Sequence, residues 1–91
     1  MKRVHVWVSG KVQRVAFRAN AQREAELRGL TGWVRNLSDG RVEAVVEGPP
    51  AAVEDWARWC HMGNPPAKVD TVTLAWEQAQ AEEGFRILPT M

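Results

Sequence analysis

The amino-acid sequence predicts an α+β sandwich, one antiparallel sheet with two helices on one face. Three observations lead there. Apolar residues alternate with period two at Val4, Val6 and Val8, at Val42, Ala44 and Val46, and at Val72, Leu74 and Trp76, the pattern of half-buried strands. Two helical stripes lie between them, Phe17, Ala21 and Ala25 in one, Val53, Trp56, Ala57 and Cys60 in the other. Glycine and proline clusters punctuate the segments. With 91 residues, 45% hydrophobic and 25% charged, the chain makes one domain near the small end of what buries an adequate core unaided.

The first strand sets Val4, Val6 and Val8 against Arg3, His5 and Trp7 and is expected to end at Gly10. Good helix formers then run from about Phe17 to Arg28, and Gly29 suits the left-handed position that closes a helix. A second strand over Trp33–Ser38 puts Val34 and Asn36 on one face and Trp33, Arg35 and Leu37 on the other. Asp39-Gly40 predicts a tight type I′ hairpin into a third strand, Arg41–Glu47, with Val42, Ala44 and Val46 inward and both glutamates outward. The second helix is expected from about Pro50 or Ala51 to His61, with Trp59 off its apolar stripe. Pro65 and Pro66 hold a loop open to about Lys68. A fourth strand follows, and beyond the polar run 78–84, Phe85 and Ile87 mark a short fifth. The order βαββαβ plus a terminal strand is that of a ferredoxin-like sandwich, in which right-handed crossovers place the first and third strands centrally and the second beside the third. Such a fold serves many functions, so function must be read from a site.

Charge points to one stretch. Six of the twelve Lys and Arg residues (Lys2, Arg3, Lys11, Arg14, Arg18, Arg23) precede Glu24, the first acidic residue, although the whole chain carries only +1. Arg18 falls in the first turn of a predicted helix, where a cation opposes the macrodipole at a cost of about 0.3–1 kcal/mol unless an anion lies between. The loop Ser9–Arg18 joins a strand end to a helix start and so reads either as an anion-binding loop or as a solvated basic face beside a glycine turn. The lone Cys60 cannot form an intramolecular disulfide, and no Cys/His cluster has metal-ligand spacing, so a reduced, cytoplasmic setting and no metal are expected. The alternating N-terminus is neither a signal peptide nor a membrane span, and a net charge of +1 argues against a general nucleic-acid binder.

Two spaced motifs carry a resemblance. Gly10-Lys11-Val12-Gln13-Arg14-Val15-Ala16-Phe17-Arg18 resembles the acylphosphatase signature G-x-V-Q-G-V-x-F-R, and Gly32-Trp33-Val34-Arg35-Asn36-Leu37-Ser38-Asp39-Gly40-Arg41-Val42-Glu43 resembles its second, G-W-V-x-N-x-x-D-G-x-V-E. The resemblance extends weakly to Phe85-Arg86-Ile87 and implies one acylphosphatase-like domain over residues 1–91. It implies the same sandwich and a hydrolase that splits the carboxyl–phosphate anhydride of small acyl phosphates without metal or cofactor. By this resemblance Arg18 and Asn36 are catalytic, Arg18 binding phosphate and Asn36 positioning the attacking water, while Gln13, Arg14, Val15, Ala16, Phe17 and Arg18 form the substrate-binding loop. The implied partner is a small acyl phosphate, acted on by a monomer with no nucleic-acid or membrane partner.

Arg14 departs from the signature, standing where the family has glycine. A positive φ there costs a side-chain-bearing residue about 1–2 kcal/mol, so a milder loop conformation with Arg14 in solvent is expected over a second substrate-binding cation. His5 and His61 read as structural or surface residues, Glu43, Glu47, Glu54 and Asp55 as solvated faces, and Cys60 as core. A competing reading is a non-catalytic anion- or nucleic-acid-binding module with Trp7 and Trp33 as a stacking platform. A metal-carrier form is excluded by the lack of C-x-x-C, and an accessory domain of a larger enzyme is not expected because the chain begins and ends at the domain.

Overall fold

The computed structural model describes all of residues 1–91. Its elements are β1 (Lys2–Lys11), α1 (Phe17–Leu27), β2 (Thr31–Asn36), β3 (Val42–Gly48), α2 (Pro50–Met62), β4 (Lys68–Glu77) and β5 (Phe85–Ile87). The sheet order is β4-β1-β3-β2-β5, so β1 and β3 are central and β2 lies beside β3, as the crossover rule requires. Val4, Val6 and Val8 face Val46, Ala44 and Val42 in register. These residues, with Phe17, Ala21 and Ala25 of α1 and Val53, Trp56 and Cys60 of α2, make one buried core. Trp56 is fully buried and its indole N–H donates to the Ala21 carbonyl at 3.1 Å, tying the helices together while satisfying its polar atom.

Four expectations change. β1 does not end at Gly10 but continues to Lys11, with a bulge where its pairing steps from Thr71 to Val69. Gly10 has φ 125°, and a side chain there would overlap the Lys68 carbonyl, so this glycine lets two strands approach instead of stopping one. The β2–β3 turn is not type I′: of Asp39 and Gly40 only the glycine has positive φ (99°). The Leu37 N–H donates to Arg41 O and the Gly40 N–H to Leu37 O, a three-residue loop closed by a left-handed glycine. The terminal strand is parallel to β2, so the four-stranded antiparallel sheet becomes mixed at one edge.

The fourth concerns the face opposite the helices. Glu43 and Glu47 point away from the core as alternation dictates, yet they are only 7% and 0% exposed. Charged neighbours in adjacent strands explain it. Arg3 donates to Glu47 at 2.8 Å, Glu77 at 2.8 Å and Glu82 at 3.0 Å, while Arg35 donates to Glu43 at 2.7 Å. His5 sits between Glu43 at 2.6 Å and Glu77 at 2.8 Å, one carboxylate at each ring nitrogen. Its ring stacks on Trp7 at 4.0 Å. β4 and β5 are opposite edges, so the connection 78–84 must cross the whole sheet, and it does so over Glu47. Glu47 accepts the Gln80 N–H at 2.6 Å and the Glu82 N–H at 3.1 Å.

Burial alone would raise the Glu47 carboxyl, but the backbone N–H of Gln80, the Arg3 guanidinium and the Glu82 N–H outweigh it and hold its pKa below the ordinary 4.5. A depressed carboxylate pKa contributes stability above its unfolded value that is lost as pH falls through the folded one. Stability should therefore fall as acid is added below about pH 4.5. Glu47→Ala, which leaves Arg3 buried with one partner fewer, should cost about 3–5 kcal/mol in denaturant unfolding at pH 7 and flatten the acid limb. A loss under 1 kcal/mol would mean that the strap does not depend on this carboxylate.

Candidate active site

The loop between β1 and α1 is built to leave donors free. Arg14 and Ala16 both have left-handed backbones, φ 62° and 61°, alternating with residues of negative φ. The expectation of a milder conformation at Arg14 is thus overturned, and each position carries roughly 1–2 kcal/mol of strain. Alternation of this kind turns successive N–H groups into a concavity that suits an anion. From Gln13 to Ala19 no backbone N–H finds a protein acceptor; the first bonded one is Asn20, donating to Ala16 O at 3.0 Å. Ala16, at the helix N-cap, offers no side-chain cap, and the first turn of α1 has no acidic residue. The positive end of the macrodipole is left without a counter-charge from the protein.

The cations divide. Arg3 is consumed by the far-face network, and Lys2 pairs with Glu54 at 3.1 Å. Lys11, Arg14, Arg18 and Arg23 have no carboxylate partner, and two of them, Arg14 and Arg18, line the cleft beside the loop. Arg14, Ala16, Phe17 and Arg18 line a cleft of about 190 Å³ together with Val12, Ala19 and Ile87. It is smaller than the roughly 300–1,000 Å³ of typical ligand pockets, which suits a small substrate. Two positions of the predicted loop do not reach it. The Gln13 amide turns outward and donates to Leu37 O at 2.7 Å and Arg41 O at 2.9 Å, while Val15 packs against the core and its carbonyl accepts from Asn64 at 3.3 Å.

Asn36 ends β2 and shares the helix-side face with Val34. β1 and β2 are both antiparallel to β3 and so run the same way, which puts Asn36 at the end of the sheet where α1 begins. Gln13 bridges the loop to the residue following Asn36, and the Asn36 carbonyl accepts the Met91 N–H at 3.1 Å. Its Oδ1 is one of three buried side-chain polar atoms without a protein partner, the others being Thr31 Oγ1 and Asn64 Oδ1. Asn36 does not wall the cleft itself.

Sequence reading missed Val12, Ala19 and Ile87 as lining residues. Val12 and Ala19 flank the expected binding stretch 13–18, whereas for Ile87 the alternation with Phe85 signals only a strand; its place follows from the crossover and its pairing with Val34. Nothing in the side chains suggests a metal centre: no group of three or more His, Cys, Asp or Glu is arranged to hold one. Burial pushes the Cys60 thiol well up, against a smaller opposing effect of Arg28, so it is no nucleophile.

Comparison with known proteins gives the family and the fold. The acylphosphatase family model matches residues 4–87. An acylphosphatase of Natronomonas pharaonis is 53% identical over 85 residues, covering 93% of this chain and 92% of that protein, and one of Gloeobacter violaceus is 52% identical over 86 residues, covering 94% and 92%. The crystal structure of acylphosphatase from Bacillus subtilis superposes with a TM-score of 0.93 at 36% identity, covering 97% of this chain and 99% of that one. Agreement over nearly the whole length, in sequence and in fold, establishes that this chain belongs to the acylphosphatase family.

Proposed function

We propose that this domain, spanning residues 1–91, hydrolyses small acyl phosphates to carboxylate and inorganic phosphate, with Arg18 and the loop amides holding the phosphoryl group and Asn36 positioning water. The observation that carries the reading is the run of unbonded N–H groups from Gln13 to Ala19 with the unpaired Arg18 in its midst. A phosphoryl group has three oxygens over which charge spreads; a planar guanidinium bonds two of them, and preorganised amides take the rest. The buried, unpartnered Asn36 Oδ1 can accept a hydrogen bond from the water and so aim its oxygen lone pair at phosphorus. The water oxygen–phosphorus bond forms, the bond from phosphorus to the carboxyl oxygen breaks, and the water proton passes to a phosphoryl oxygen. The carboxylate leaves readily, so no strong general base is needed.

The same reading assigns a monomer acting on a small molecule in the cytoplasm, with no nucleic-acid or membrane partner. In support, no helix is long and apolar enough to cross a membrane. Trp7 is stacked on His5, Trp33 lies under Arg35 at 4.9 Å, and Glu43 and Glu77 stand among them, which disfavours a base-stacking platform beside a phosphate backbone.

Phosphate release from benzoyl phosphate, followed with a chelator present, tests the reading. Wild type should turn over, and Arg18→Ala should lose both activity and phosphate affinity. Asn36→Ala should lower kcat by about 10²–10³ while substrate affinity largely survives. Gln13→Ala, which unties loop from hairpin, should lower kcat by about tenfold and raise KM less, the mark of lost alignment. Equal loss of phosphate affinity in the Arg18 and Asn36 variants would overturn the division of labour, and loss of wild-type activity to the chelator would overturn the metal-free mechanism.

A further inference from the structure

Two cations line the cleft, and one phosphoryl group needs only one of them. Arg18 stands in the first turn of α1 among the free amides. Arg14 lies two residues before the N-cap, exposed, and makes no hydrogen bond or ion pair with the protein. The rest of the lining, Val12, Ala16, Phe17, Ala19 and Ile87, is apolar and contains no carboxylate to neutralise it. The chain also bears the strain of a left-handed backbone at Arg14, a position where glycine would sit without cost. Arg14 thus combines a strained backbone with an unused charge on the lining of the cleft.

We propose that Arg14 is a specificity determinant that favours acyl phosphates whose acyl group carries a second negative charge. This rests on the acyl phosphate hydrolase reading above. With the phosphoryl group against the amides and Arg18, the acyl group lies against the remaining lining of the cleft, which is apolar apart from Arg14. A carboxylate or phosphate at its far end then meets the only other cation that lines the cleft. A neutral acyl group gains nothing from it. Because Arg14 is solvent-exposed, the selectivity is a matter of several-fold and depends on salt.

The test uses the full chain with 4-carboxybenzoyl phosphate and its neutral isostere 4-carbamoylbenzoyl phosphate, each corrected for spontaneous hydrolysis. The ratio of kcat/KM for the charged over the neutral substrate should fall about fivefold in R14Q, mainly through KM, and return in R14K. R14G, which suits a φ of 62°, provides a second uncharged variant and should show the same fall. The difference between wild type and R14Q should shrink as salt is raised. An unchanged ratio, or an equal loss for both substrates together with weaker binding of inorganic phosphate, would overturn the proposal and make Arg14 a bystander or a second phosphate ligand. Failure of wild type to hydrolyse either compound would overturn the hydrolase reading itself, and this proposal with it.

Discussion

The Glu47 carboxylate has no exposed surface, and the C-terminal part of the chain is hung on it. An unpaired buried charge costs several kcal/mol, so the ion is tolerable only with Arg3 and two backbone N–H groups around it. Two of those donors, Gln80 and Glu82, belong to the strap that carries the chain across the sheet from β4 to β5. Where the strap lands decides the pairing of β5 with β2, and that pairing brings Ile87 opposite Val34 and on to the cleft. A carboxylate on the face remote from the cleft thus anchors the strap that leads to one of its walls.

The two faces of the sheet solve different problems with the same residue types. On the far face cations and carboxylates alternate between neighbouring strands, so Arg3 and Arg35 are spent on Glu43, Glu47 and Glu77, with His5 hydrogen-bonded between Glu43 and Glu77. At the start of α1 the opposite holds: Arg14 and Arg18 meet no carboxylate, the helix has no cap, and the loop amides bond to nothing in the protein. That loop is held in shape by contacts pointing away from the cleft, Gln13 to the hairpin carbonyls and Val15 O to Asn64. Strain at Arg14 and Ala16 is sustained because these outer contacts over-determine the conformation.

Much of this was legible beforehand. Alternation and helical stripes located the elements to within a few residues, and the crossover rule placed β1 and β3 centrally with β2 beside β3; that β2 stops at Asn36, and not at Ser38, came from the structure. The loop's basic character and Arg18 in a helix's first turn read equally as an anion-binding loop or a solvated basic face; the free amides that distinguish the two appear only in the fold. The failures share a cause. Glu43 and Glu47 alternate outward like any solvated pair, and nothing in their own strand reveals that Arg3, Arg35 and a crossing strap will cover them. Asp39-Gly40 matched a two-residue turn, but the Leu37–Arg41 pairing made a longer one.

The sequence by itself determined what depends on near neighbours along the chain: the period of each element, the helix stop at Gly29, the interruption at Pro65 and Pro66, and the cluster of cations before Glu24. Local sterics and side-chain alternation act over a few residues, so a one-dimensional pattern contains them. Only the tertiary structure decided which of those cations stay free, which carboxylates are buried, what backbone Arg14 adopts and that Ile87 walls the cleft. Each of these is settled by a partner tens of residues away, brought close by strand pairing, and pairing energies do not appear in any single stretch of sequence.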